Sequence, residues 1–157
     1  MGVALVSGPD LQQAQDSIFG LFAAAWAAYS PAFNDGTAPP IEWPDTPETQ
    51  TPLSMGDAPW CRVDLQYTSR GSSSIGGAAS VSKYTSHGLV VVSIFVPAGK
   101  RGLVASAQLG NVALAAFEGQ RTDQGVWFSD VVPKKVGGDS GWQQLNVVAT
   151  FTYYTHR

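Results

Sequence analysis

Apolar positions recur along this chain with two different periods, and their order predicts six elements. Ser7-Gly8-Pro9-Asp10 opens a helix, because proline suits a first turn and an acid favours the positive end of the helix. Leu11, Ala14, Ile18, Leu21, Phe22, Ala25 and Trp26 then fall on one face at helical spacing. Pro31 sets the limit, since the residue before a proline disfavours helical backbone. From Trp60 to Tyr67 the period shortens to two. Cys61, Val63, Leu65 and Tyr67 face one way and Arg62, Asp64 and Gln66 the other, the pattern of a half-buried strand. Leu89 to Val96 is apolar on both faces, which predicts a central strand covered on both sides. The turn from Pro97 to Gly102 leads into a second helix. Leu103, Ala107, Leu114 and Phe117 form its expected stripe, with Gly119 near its C-cap. Val126 to Val132 is a short strand. Leu145 to Tyr154 is a long one, with Leu145, Val147, Ala149, Phe151 and Tyr153 on one face. Between these two strands Gly137-Gly138-Asp139-Ser140-Gly141 supplies the glycines of a hairpin turn.

The order helix, strand, strand, helix, strand, strand predicts an α+β fold: a four-stranded, mostly antiparallel sheet with two helices packed on one face. Two stretches stand outside this scheme. Residues 34–59 hold six of the ten prolines and little periodicity, an extended loop lying along the surface with Ile41 and Trp43 as anchors. Thr68 to Gly88 is rich in Ser and Gly and carries Arg70, Lys83, Tyr84 and His87. With its flanking strands paired, it becomes a long protruding hairpin arm. The length of 157 residues fits a single domain, and no internal repeat is visible.

Composition changes this picture in one respect. The chain is 44% hydrophobic, enough for a real core, yet only 13% charged. That is about half the roughly 25% of an ordinary soluble domain. Disorder requires low hydrophobicity, so the missing charge points to a surface covered by partners. A net charge of -3 with nine scattered cations argues against direct nucleic-acid recognition, which needs clustered Lys and Arg. The single cysteine, Cys61, excludes an internal disulfide and a Cys-based zinc site, and reads as a small buried hydrophobe. The longest apolar stretch, Ile18 to Tyr29, is too short to span a bilayer, and the N-terminus lacks the basic start of a signal peptide. Synthesis in a cytoplasm, without membrane or export, is expected.

Enzymatic chemistry finds one lead. Gly138-Asp139-Ser140-Gly141 resembles the nucleophile motif of chymotrypsin-like serine proteases, and His87 with Asp123 or Asp130 precedes it in the right order. Trp142 stands where that family has a second glycine, and a helix intrudes on what should be a double β-barrel, so a glycine-rich turn is the simpler reading. Gly99-Lys100-Arg101 lacks the spacing of a phosphate loop. His87 and His156 sit in no metal-ligand spacing, and the acids of residues 35–57 lie on a proline-rich loop. No catalytic residue, cofactor or metal is expected.

Several segments, in order, resemble the tail terminator or tail-completion family of long-tailed bacteriophages. They are Ile41-Glu42-Trp43-Pro44-Asp45 with Trp60-Cys61-Arg62-Val63; Gly88 through Pro97 with Gly99 to Gly102; Phe117-Glu118-Gly119-Gln120 with Gly125-Val126-Trp127-Phe128; and Gly141 through Val147. The likeness spans residues 41–157 and is weakest between Ser69 and His87. It implies a non-enzymatic virion protein forming a hexameric ring on the head-proximal end of the tail tube. That ring stops tube growth and offers the head-joining surface. The implied partners are other copies of the chain, the tail tube protein and a head-completion or neck protein. Assembly would take place in the host bacterial cytoplasm. On this reading Arg70, Lys83, Tyr84, Glu118, Lys134 and Lys135 are expected at subunit or tube contacts, and Trp43, Trp60, Gly102, Trp142 and Asn146 are structural. Trp142 is expected to pack at a strand start and Asn146 to satisfy backbone near the turn. The nearest alternatives are another neck protein, a tube protein, or a small hydrolase using Ser140.

Overall fold

A computed structural model describes residues 8–29, 38–45, 58–72, 82–99, 102–139 and 141–156. Helix α1 spans Leu11–Tyr29 and begins in a reciprocal cap. The Asp10 carboxylate accepts from the Gln13 amide at 2.8 Å, and the Gln13 side-chain oxygen accepts from the Asp10 amide at 3.0 Å. Two otherwise orphaned donors are thereby satisfied. Ala14, Ile18, Phe22 and Trp26 make its buried stripe, as their spacing predicts, whereas Leu11 projects into solvent.

The sheet has five strands, not four. β1 (Ile41–Glu42), β2 (Trp60–Ser72), β3 (Lys83–Pro97), β4 (Trp127–Asp139) and β5 (Trp142–His156) lie in the order β1-β2-β3-β5-β4. β1 pairs parallel with β2 and the remaining pairs are antiparallel, so the sheet is mixed. β1 comes from the stretch expected to be loop. Two residues are too few for any period to show. The expected anchors pack against the core, Ile41 beside it and Trp43 on Phe19 and Phe22, and Trp26 donates its indole N–H to the Pro39 carbonyl at 2.8 Å.

The second helix, α2, spans Gly102–Phe117 and ends at Gly119, whose φ is 66°. Its buried stripe is Gly102, Ser106, Leu109, Gly110, Ala113, Ala116 and Phe117. Of the expected stripe, Phe117 is buried and Leu114 packs against the core, whereas Leu103 and Ala107 face outward, Leu103 being 56% exposed. Small residues win the inner face because the helix lies close on the sheet. A Cβ at Gly102 would stand 2.9 Å from the Pro97 carbonyl oxygen, and one at Gly110 would stand 2.6 Å from the Leu145 side chain.

Both helices cover the same face. Phe22 stacks on Phe117, which meets Phe128, joining α1, α2 and β4 over Val63, Val92, Val147 and Ala149. Each fully buried aromatic or large aliphatic here stabilises by about 1.5–3 kcal/mol. Cys61 lies in this core, and burial raises its thiol far above the usual range. The strands run further than their apolar stretches. β2 pairs with β3 out to Ser72↔Tyr84, and Lys83 to Gly88 also pair with Phe151 to His156 of β5. Both described legs of the expected arm are therefore part of the sheet; its middle, 73–81, lies outside the described residues, as do residues 46–57 of the proline-rich loop.

Gly88 is where the sheet tolerates least. Tyr67, Gly88 and Phe151 align across three strands, and Tyr67 meets Phe151 edge-on over the glycine. A Cβ there would collide with the Phe151 ring and the Gln66 carbonyl. Gly88→Ala is expected to cost roughly 1–3 kcal/mol of stability or more. Gly71→Ala, with nothing within 4 Å, should stay within about 0.5 kcal/mol. Urea unfolding of both variants checks the contrast.

Candidate interaction surfaces

The second face of the sheet carries no helix. Alternation along β3 sends Val90, Val92, Ile94 and Val96 into the core and Leu89, Val91, Ser93 and Phe95 to the opposite side. The expectation that β3 is covered on both sides is thus corrected: among the described residues only one face has a covering layer. Register lines up the open face in rows. Asp64, Val91, Val148 and Val132 form one; Trp60, Phe95, Gln144 and Val136 form another. Val132 is 44% exposed and Val136 38%. Trp60 stacks on Phe95 at 4.2 Å, and the Arg62 guanidinium lies over both rings while bonding Glu42 at 3.1 Å.

Further along the same face, cations sit on aromatic rings. Lys83 Nζ lies 3.5 Å from the Tyr154 ring centre, Tyr154 packs on Trp127 at 4.9 Å, and Arg121 lies over Trp127. His87 Nδ1 is 3.0 Å from Thr152 Oγ1 in this strip. Arg70 and Tyr84 fall on the other face. Arg70 donates to Ser86 Oγ at 2.8 Å and lies over Tyr84, holding the paired legs of β2 and β3 together. The expected contact residues thus divide between two faces.

Lys134 and Lys135 are exposed on β4, an edge strand. Glu118 is exposed just past α2. The start of α2 lines a cavity of about 530 Å³ together with Lys135, Val136, Trp142 and Gln143. Sixteen helical residues separate that end from Glu118, roughly 24 Å, so Glu118 and the lysines do not meet within one subunit. Trp142 opens β5 opposite Pro97 and Asp139, as expected of a strand-start residue. Asn146 departs from expectation. It lies within the sheet between Ser93 and Lys134, accepting from Gln144 Nε2 at 3.0 Å, and is not at the turn.

His87 and the described end of the Gly138–Gly141 turn lie at opposite ends of β5. His87 pairs with Thr152, whereas Gly141, the described neighbour of Ser140, precedes β5 at its other end. Ten residues of extended strand between Trp142 and Thr152 span roughly 33 Å. Ser140 itself lies outside the described residues. Among those described, no cluster of His, Cys, Asp and Glu could hold a metal, and no helix is long and apolar enough to cross a membrane.

A second groove of about 700 Å³ runs between the outer sides of α1 and α2, lined by Leu21, Ala24, Ala25, Ala28, Val112 and Ala115. Its floor is small and apolar. The open face, this groove and the cavity beside α2 are the main apolar surfaces the described fold leaves open.

No family model matches the chain, and no curated protein matches it. A solved structure named only by a sequence identifier aligns over 88% of this chain and 94% of its own, with 16% identity and a TM-score of 0.57. That is a likeness of fold. A chain from the virion of a native gene transfer agent particle aligns over 91% of this chain and 94% of its own, with 12% identity and a TM-score of 0.43. This second likeness is too loose to build on.

At the extended end of the sheet, burial pushes the Tyr67 hydroxyl up to about 12 from an ordinary 10.0, with the neighbouring Tyr153 adding to the shift. A folded-state value above the unfolded one means that ionisation favours unfolding. The associated stability is intact below pH 10 and falls as pH rises through about 12. Tyr67→Phe should flatten the loss of stability between these limits. Unfolding curves measured across that range check it, and an unchanged slope would refute it.

Proposed function

We propose that this chain is a structural subunit of a tailed bacteriophage virion, a tail terminator that closes the head-proximal end of the tail tube as a ring. The observation that carries the assembly part of this reading is the sheet face without helices, on which Val132 and Val136 are exposed and Val91, Val148 and Phe95 are half-buried. Apolar rows of this kind on a chain only 13% charged suit a subunit whose surface is buried against neighbours. The terminator role comes from the ordered resemblance over residues 41–157.

Each segment of that resemblance falls on a junction of the fold. Ile41 to Asp45 forms β1 and its exit, Trp60 to Val63 begins β2, and Gly88 to Gly102 carries β3 into α2. Phe117 to Gln120 ends α2, and Gly141 to Val147 opens β5. On this reading the segments are kept by packing, and binding does the work without catalysis or a cofactor. A ring needs only one heterologous contact repeated around an axis. Six copies close it, the tube end is covered on one side, and the other side meets the neck of the head. On this reading the arm from Thr68 to Gly88 reaches a neighbour or the tube, with Arg70, Lys83 and Tyr84 as its contacts.

Purified protein examined by mass across a concentration series, with negative-stain imaging, should show closed rings of six. Long filaments would move the assignment to a tube protein. Replacing residues 73–81 with a two-residue turn should leave the fold intact, because the paired legs lie outside the excised stretch. That variant is expected to lose ring assembly. Normal rings from it would remove the tip from the interface.

A further inference from the structure

The two edges of the sheet carry opposite charge, offset by about two residues along the strands. The order β1-β2-β3-β5-β4 puts β1 and β2 on one edge and β4 on the other, four strand spacings or roughly 19 Å apart. Asp45 and Asp64 are exposed at the first edge. Arg62 is the cation among them, and it is already bound to Glu42 and seated over Trp60 and Phe95. In sequence the imbalance is wider: Asp35, Glu42, Asp45, Glu48, Asp57 and Asp64 are six of the chain's twelve acids, with Arg62 the one base among them.

On the β4 edge Lys134 and Lys135 are consecutive and exposed, so one points to each face and together they straddle the strand. Val132 and Val136 flank them and are also exposed, and Lys135 borders the cavity beside α2. Register sets the heights. Lys134 aligns through Asn146 and Ser93 with Arg62, while Val132 aligns through Val148 and Val91 with Asp64. Lys134 and Asp64 therefore differ by two residues along the strands, roughly 7 Å. Asp130 also belongs to β4, four residues away from Lys134 at an irregular step where its φ is 51°.

This edge is ill suited to adding another strand. Pro133 has no N–H, the register shifts between Ser129 and Val132, and two lysines project from it. A neighbour must meet it through side chains. Opposite charges on opposite edges, about two residues apart in height, suit a head-to-tail contact in which the neighbour is shifted by that offset, since each subunit then presents both halves.

We infer that neighbouring subunits join edge to edge, Lys134 and Lys135 of one copy against Asp45 and Asp64 of the next, around an apolar contact made by Val132 and Val136. This rests on the ring reading above. The valines and the cavity beside them supply buried area. The charges add little affinity individually, but they set register and exclude the reversed pairing.

Two charge-reversed proteins test it: Asp45→Lys with Asp64→Lys, and Lys134→Glu with Lys135→Glu. Each alone brings like charges together at every contact and should raise the concentration needed for assembly by about tenfold or more. Mixed in equal amounts, the two complement each other. Alternating rings should form near the wild-type concentration, which also shows that both variants fold. Full assembly by either variant alone, or a mixture that assembles no better than its parts, overturns the edge-to-edge contact while leaving the ring reading in place. A wild-type protein that forms no ring at any concentration overturns the ring itself, and this contact with it.

Discussion

β3 is hydrogen-bonded along its full length, and the rest of the molecule is arranged around that pairing. All fifteen of its residues align with β5, and twelve positions of β2 align on its other side. A strand held so completely has one register open to it, because a slip of one residue would send Val90, Val92 and Ile94 out of the core. That register sets which residues of β2 and β5 share the helix side. It also sets where α1 and α2 can lie, and leaves the opposite rows facing outward. The open face is thus a consequence of the same pairing that builds the core.

Much of this order was legible in the residues. α1, the phase of β2 and the phase of β5 emerge from apolar spacing, because in each case one side is buried and the other is not. The rest was hidden for identifiable reasons. β1 is two residues long and joins the sheet only because Trp26 and Cys61 N hold the Pro39–Pro40 segment beside β2. The outer ends of β2, β3 and β5 are built from Thr, Ser, Lys, Tyr and His, which form strands there through pairing with one another and show no apolar alternation. In α2 glycine, serine and alanine share the inner face with Leu109 and Phe117. A stripe started at Leu103 and Ala107 therefore points outward, although Gly102, Ser106 and Gly110 already stood at a spacing of four.

The open face was the largest misreading, and it is the most informative about function. An apolar run such as Leu89 to Val96 carries no mark saying whether its second side meets the chain's own helices or another molecule. Sparse charge and apolar rows on one face are the features on which the proposed assembly rests. The candidate contact residues were found in the sequence as charges, but their grouping was not: Lys83 and Arg70 lie on opposite faces, and Glu118 lies a helix length from the lysines.

The central claim is that this chain ends a growing tube by binding to it. The most direct measurement follows the length of polymerising tail tube protein from the same phage while this protein is added. Tubes that stop growing at one end, each carrying a single ring of this chain there, are the predicted result. Tubes that lengthen unchanged and bind none of it at their ends would contradict the account.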